Sequence, residues 1–300
     1  MNIAVKPEAG ADLDEAHALP LAELNPAKTE RFQQDTIWPV FERLRREDPV
    51  HFTPESDFGP YWSVTRWNDI MAVDTDHEAF SSADGIGLPN RTAMEEQRKA
   101  MEAMGVEPRR AGGAGFITMD EPEHGPARKA VSPTLAPANL ALMSPVVRQR
   151  AGEILDSLPI GETFDWVDRV SKELTAMTLA TLFDFPFEQR RKLPWWSDMI
   201  MNQPGHGPVE SWQQKAEAMT ECFGAFDELW NQRVDAEPGI DLISMLAHND
   251  ATRNMSPEEY QGTVVLLIIG GNDTTRNTIT GSVLALNPDQ YAKLRERPDM

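Results

Sequence analysis

The chain has 300 residues, of which 40% are apolar and 25% charged, and 48 acids against 28 bases leave a formal net charge of -20. That balance excludes a general nucleic-acid binder, which needs a broad basic surface for phosphates. The single cysteine, Cys222, excludes an internal disulfide and suits a reducing compartment.

Residues 1–20 hold no apolar core of signal-peptide length and read as a mobile arm. Residues 21–300 read as one domain. Along residues 38–48, Val40, Phe41 and Leu44 fall at helical spacing, and Pro49 stops the run. Residues 50–52 and 61–65 read as two short strands around a turn-rich stretch, hence a small hairpin. Helix returns over 68–79. Residues 81–115 are punctuated by Gly85, Gly87, Pro89, Pro108, Gly112 and Gly113, with one charged helix near 93–104. A segment so long and irregular in a compact domain is often a lid or binding loop. From Glu123 onward the periodicity is helical, with candidates at 124–135, 139–157, 168–183, 188–201, 211–235, 240–248 and 257–287. The expected fold class is mainly α with a minor β part.

The long helix starts with a strong signal. In Ser256-Pro257-Glu258-Glu259 the serine suits the N-cap, proline the first helical position and glutamate the third. Pro288 sets the stop, which gives a helix of roughly 46 Å at 1.5 Å per residue. Its middle breaks the rules of helix building. Six apolar residues, 264–269, run into Gly270-Gly271-Asn272-Asp273-Thr274-Thr275. Each interior glycine costs roughly 1 kcal/mol against alanine, and a carboxylate after a buried run is costly unless partnered. Rules broken together in one place mark a site. A widening or kink at Gly270-Gly271 is expected, with a gap beside Asp273 and Thr274 for a small ligand or a water.

Rival readings place other chemistry here. Residues 264–269 as a buried strand, Gly270-Gly271 as a turn and Asp273 as the cap of a new helix would suggest a nucleotide-dependent enzyme. Neither G-x-G-x-x-G nor G-x-x-x-x-G-K-[ST] is present, and the capping box close upstream favours one continuous helix. A divalent-metal motif built on Asn272-Asp273 fails because Arg276 and Thr280 stand where a hydroxyl and an acid are needed. His17, His51, His77, His124, His206 and His248 form no H-E-x-x-H and no close pair, so no metal ligand set is expected. A helical protein without catalysis is the bland alternative. The apolar run is far shorter than the ~20 residues a membrane helix needs, so a cytoplasmic protein without a membrane partner is expected.

The stretch Gly270, Gly271, Asn272, Asp273, Thr274, Thr275 resembles the [AG]-G-x-[DE]-T-[TS] pattern on the distal central helix of the cytochrome P-450 family, the haem-thiolate monooxygenases. Residues 118–129 support the likeness: Asp120, Pro122, His124 and Arg128 match that family's D-x-P-x-H-x-x-x-R. His124 and Arg128, four apart, share a helix face. Softer matches are the hairpin followed by Glu78-Ala79-Phe80, the stretch from Asp241 to Leu246, and Asn287-Pro288-Asp289-Gln290. The resemblance runs from about residue 36 to 300, and the segment around Thr274 looks like the soluble bacterial alkane hydroxylase branch.

The resemblance implies haem b and iron as cofactor, O2 as co-substrate, and NAD(P)H electrons delivered by a ferredoxin and a ferredoxin reductase. It implies hydroxylation of a small apolar substrate, such as the terminal carbon of a medium-chain alkane, fatty acid or terpene. Asp273 and Thr274 would be catalytic, Thr274 holding oxygen and a water and Asp273 relaying protons. His124 and Arg128 would bond the haem propionates, and Gly270 and Gly271 would leave room for dioxygen. Leu266, Ile269 and Gly270 would line the substrate pocket, with Ile86, Leu88 and Phe116 as roof. The family's F-x-x-G-x-x-x-C loop and E-x-x-R are not in this sequence, and Cys222, amid Met219, Phe226 and Leu229, reads as a core thiol and not the iron ligand. The chain therefore looks like the N-terminal two-thirds of such an enzyme. Standing alone, it is expected to form no normal haem–thiolate site.

Overall fold

The computed structural model describes residues 16–105 and 115–297. The chain divides into two compact units, Met1–Gly112 and Gly113–Met300.

In the first unit, a single helical turn at Leu21–Glu23 precedes α1 (Thr29–Gln33), α2 (Trp38–Glu47), the strands β1 (Val50–Thr53) and β2 (Tyr61–Val64), α3 (Trp67–Thr75) and α4 (Arg91–Ala103). The spacing of Val40 and Leu44 puts both on one face of α2, where they are fully buried against Leu24 and Ile37. β1 and β2 form the expected antiparallel hairpin, pairing Val50 with Val64 and Phe52 with Trp62. The strand period of two sends His51 and Thr53 inward and Val50 and Phe52 outward. Of the stretch read as a mobile arm, residues 1–15 lie outside the described residues. Its end is anchored: Ala16 is fully buried, and Arg43 donates to the carbonyls of Ala16 and Leu19, each at 2.7 Å.

The second unit is helical: α5 (His124–Val131), α6 (Pro137–Asp156), α7 (Glu173–Phe183), α8 (Lys192–Met201), α9 (Trp212–Arg233), α10 (Leu242–His248), α11 (Pro257–Ala285) and α12 (Pro288–Glu296). Its core gathers Phe183, Trp196, Cys222, Phe226, Leu246 and Ile268 from five of these helices. The mainly helical fold with one small hairpin is the class the periodicity implies.

α11 starts where the capping signal puts it. The Glu259 N–H donates to Ser256 Oγ at 3.3 Å, and the Ser256 N–H donates to Glu259 Oε2 at 2.8 Å. The helix ends at Ala285, short of the expected 287. It runs unbroken through residues 264–271, so the strand–turn–helix reading is overturned, and with it a nucleotide site on a Gly270-Gly271 turn. The widening expected at those glycines is absent as well. A wide π-type turn sits instead at Val167–Lys172, just before α7. The i→i−4 pattern survives the glycines because fully buried Val264 and Ile268 hold this stretch of α11 in the core. α6 continues across Pro145, although a proline in a helix interior removes one backbone donor. No described helix is long and apolar enough to cross a membrane.

Candidate active site

The two central glycines of α11 face different surroundings. A β-carbon at Gly270 would meet nothing within 4 Å, whereas one at Gly271 would lie 2.6 Å from Leu179 Cδ2 on α7. Gly271 thus permits close packing of α11 on α7, and Gly270 leaves open space on the exposed side. One turn on, Thr274 is exposed, and its hydroxyl donates to the Gly270 carbonyl at 2.7 Å. With its proton committed there, the Thr274 oxygen is left to accept a hydrogen bond from a ligand or water.

Leu266 and Ile269, a turn or so before, are half-buried. Phe116 belongs to a tight turn, Phe116–Thr118, that lies against α11. A β-carbon on the preceding Gly115 would stand 2.8 Å from the Gly262 carbonyl oxygen and 3.5 Å from Leu266 Cβ. The chain beside Phe116 is therefore held near Leu266, as a shared pocket wall requires. Gly115 and Gly262 were not anticipated as site-forming residues, because nothing local in either sequence signals the contact. Ile86 and Leu88 belong to the first unit, where both are exposed.

Asp273 lies at the centre of a charged network. Its Oδ1 accepts from Arg276 Nη2 at 2.9 Å, Asn272 Nδ2 at 3.0 Å and Ser197 Oγ at 3.3 Å. Arg276 also donates through Nη1 to Asp198 Oδ1 at 2.7 Å, and Asp198 Oδ2 accepts from Lys172 Nζ at 3.1 Å. This tethering satisfies the cost of a carboxylate placed after a buried run. Of the partners, Asn272 and Arg276 are local in the sequence, one residue before and three residues after Asp273 on the same helix. Lys172, Ser197 and Asp198 arrive from other elements. Asn272 is fully buried, and its Oδ1 has no hydrogen-bond partner.

His124 and Arg128 lie on α5 as their spacing requires. His124 Nδ1 is 3.4 Å from Glu121 Oε1. Arg128 is exposed, and among the described residues nothing pairs with its guanidinium. A free guanidinium next to an imidazole fits an anionic partner such as a carboxylate. Cys222 is fully buried in the core, and burial, aided by the Glu221 carboxylate, pushes its thiol up to about 12. A thiol so protonated is a poor metal ligand. Among the described residues no group of three or more His, Cys, Asp or Glu side chains is arranged to hold a metal ion. The guanidinium of Arg128 thus suits an anion, the space beside Gly270 and Thr274 suits a small ligand, and Cys222, the chain's one cysteine, offers no thiolate to a metal.

No protein-family model matches the chain. Linalool 8-monooxygenase of Pseudomonas putida is 32% identical over 275 residues, which cover 90% of this chain and 66% of that protein. Steroid C26-monooxygenase of Mycolicibacterium smegmatis is 28% identical, over 85% of this chain and 60% of that one. Among solved structures, CYP153D17 from Sphingomonas sp. PAMC 26605 matches with 41% identity and a TM-score of 0.75, over 90% of this chain and 65% of that one. Cytochrome P-450-153 from Novosphingobium aromaticivorans matches with 36% identity and a TM-score of 0.76, over 92% and 66%. The chain therefore spans just under two thirds of the length of these relatives.

Proposed function

Because the chain belongs to the cytochrome P-450 family, we infer that it provides the oxygen-handling part of a haem monooxygenase. The reaction would place a hydroxyl on an unactivated carbon of an apolar substrate. One observation carries the reading. Thr274 is turned so that its hydroxyl proton goes to the carbonyl of Gly270, where an added β-carbon would meet nothing within 4 Å.

A thiolate-ligated haem, when bound, supplies the activation of dioxygen and the attack on the C–H bond. The residues of this chain do the rest. His124 and Arg128 would hold the propionates. Thr274 would accept a hydrogen bond in the oxygen-binding space and keep a water there. Asp273 would pass protons between that water and solvent. Leu266, Ile269 and Phe116 would give the substrate an apolar surface that selects by burial. The iron-ligating thiolate is not Cys222. Electrons would come from NAD(P)H through a ferredoxin and its reductase, in the cytoplasm.

For substrate, the likeness to a protein named linalool 8-monooxygenase favours a terpene, and the resemblance of the segment around Thr274 to the bacterial alkane hydroxylase branch extends this to terminal hydroxylation of a medium-chain alkane or fatty acid. The protein carrying this chain, reduced under carbon monoxide, should show the strongly red-shifted Soret band of a thiolate-ligated haem. Its absence defeats the family mechanism. Supplied with a ferredoxin system, the protein should convert an alkane, a fatty acid or a monoterpene to its terminal alcohol. Thr274→Ala should keep substrate affinity and divert electrons to hydrogen peroxide, and an unchanged ratio of product to NAD(P)H consumed would remove Thr274 from the mechanism.

A further inference from the structure

Asp273 is held unequally at its two oxygens. Oδ1 accepts from three donors, while among the described residues no donor reaches Oδ2. The inequality traces to Arg276. Its guanidinium is a planar fork able to grip both oxygens of one carboxylate, yet here the fork is divided: Nη2 goes to Asp273 and Nη1 to Asp198. Asp198 is itself anchored by Lys172 Nζ, from the turn before α7. The side chains of Arg276 and Asp198 are only 14% and 17% exposed, so water screens this pair far less than it screens surface pairs. Lys172, Asp198, Arg276 and Asp273 alternate in sign along the chain of contacts.

We propose that Asp198 and Arg276 are positioning residues that keep Asp273 with one oxygen saturated and the other free for proton exchange. The proposal rests on the oxygen-handling reading of Asp273 and goes beyond it by naming what orients that carboxylate. Without the Asp198 charge, nothing holds Nη1 away from Asp273. The fork then turns to take both oxygens, and the free one is lost. Ser197, fully buried on α8 one position before Asp198, fixes the distance between α8 and the carboxylate.

The test uses the full protein carrying this chain, labelled with 15N-arginine and read by NMR without turnover. Wild type should show two distinct Arg276 Nη signals, assigned by their loss in Arg276→Lys. In Asp198→Asn the two should merge or move together. The same variant should form product about tenfold more slowly, with its substrate dissociation constant within twofold of wild type. Nη signals that stay distinct in Asp198→Asn overturn the divided fork. Turnover that is unchanged, or that falls in step with substrate affinity, overturns the positioning role. Should Asp198→Asn fail to fold, Arg276→Lys carries the kinetic arm: a lysine keeps the charge but cannot bridge both carboxylates, and the same split between turnover and affinity is expected. If wild type lacks the red-shifted carbonyl band, the oxygen-handling reading fails on its own, and the NMR result still decides how Arg276 is shared.

Discussion

Alanine should act in opposite directions at the adjacent glycines of α11. At Gly270 the new methyl meets open space, so Gly270→Ala should raise fold stability by about 1 kcal/mol through helix propensity. At Gly271 the methyl runs into Leu179, which is itself buried, and such overpacking costs roughly 1–3 kcal/mol. Urea midpoints of the two variants, moving up and down respectively, check this. That two glycines stand in the middle of this helix was legible in the sequence. Their division of labour was not, because it depends on a leucine from another helix. Cys222 gives a pH prediction at the same scale. Its thiol titrates at about 12 in the fold, against an ordinary 9.0. The raised value favours the protonated form, so its contribution to stability is complete below about 9 and declines as pH climbs from there to about 12. Tyr260 is raised too, by burial first, which adds loss of the same sign at high pH. Unfolding midpoints measured from pH 7 to 10 should fall, and Cys222→Ser should flatten part of that fall.

At the scale of elements, α11 is the best-written piece of the chain. Its start was legible because capping is local: serine, proline and glutamate within four residues satisfy orphan N–H groups of the first turn. Ser256→Ala should therefore lower stability by about 1 kcal/mol without changing the denaturant slope. A shift below a few tenths would show that packing alone fixes this end. The wide turn at Val167–Lys172 and the passage of α6 through Pro145 were not legible, since packing decides both. Ser171 and Thr280 share a hydrogen bond of 2.9 Å that ties the wide turn to α11. Arg150 donates to the Met177 carbonyl at 2.7 Å and to Thr181 Oγ1 at 2.6 Å, fastening α6 to α7. None of these partners is near its mate in sequence, so local pattern carries no trace of them.

For the whole molecule, a net charge of -20 opposes compaction through self-repulsion. Raising salt from 0.01 to 0.15 M shortens the screening length from about 30 to about 8 Å, and the thermal midpoint should rise with it. A midpoint that falls would mean that ion pairs such as Lys172–Asp198–Arg276 outweigh the repulsion. The family was readable at this scale because several weak motifs occur in the right order, from His124 and Arg128 to Thr274. Only the part of the network around Asp273 that lies on α11, Asn272 and Arg276, was readable; Ser197, Asp198 and Lys172 come from α8 and the turn before α7, and only folding brings them together.

The abutment of Gly115 on Gly262 sets a different kind of constraint. The atoms that a β-carbon at 115 would crowd below 3.4 Å are main-chain atoms of Gly262, and Leu266 Cβ, at 3.5 Å, is in ordinary contact. A methyl added at 115 thus has no neighbouring group that can be trimmed to admit it; the helix or the loop must move bodily. The spacing between α11 and the turn at Phe116 is gauged by the backbone itself, so substitutions of nearby side chains can alter the surface there while that spacing stays the same.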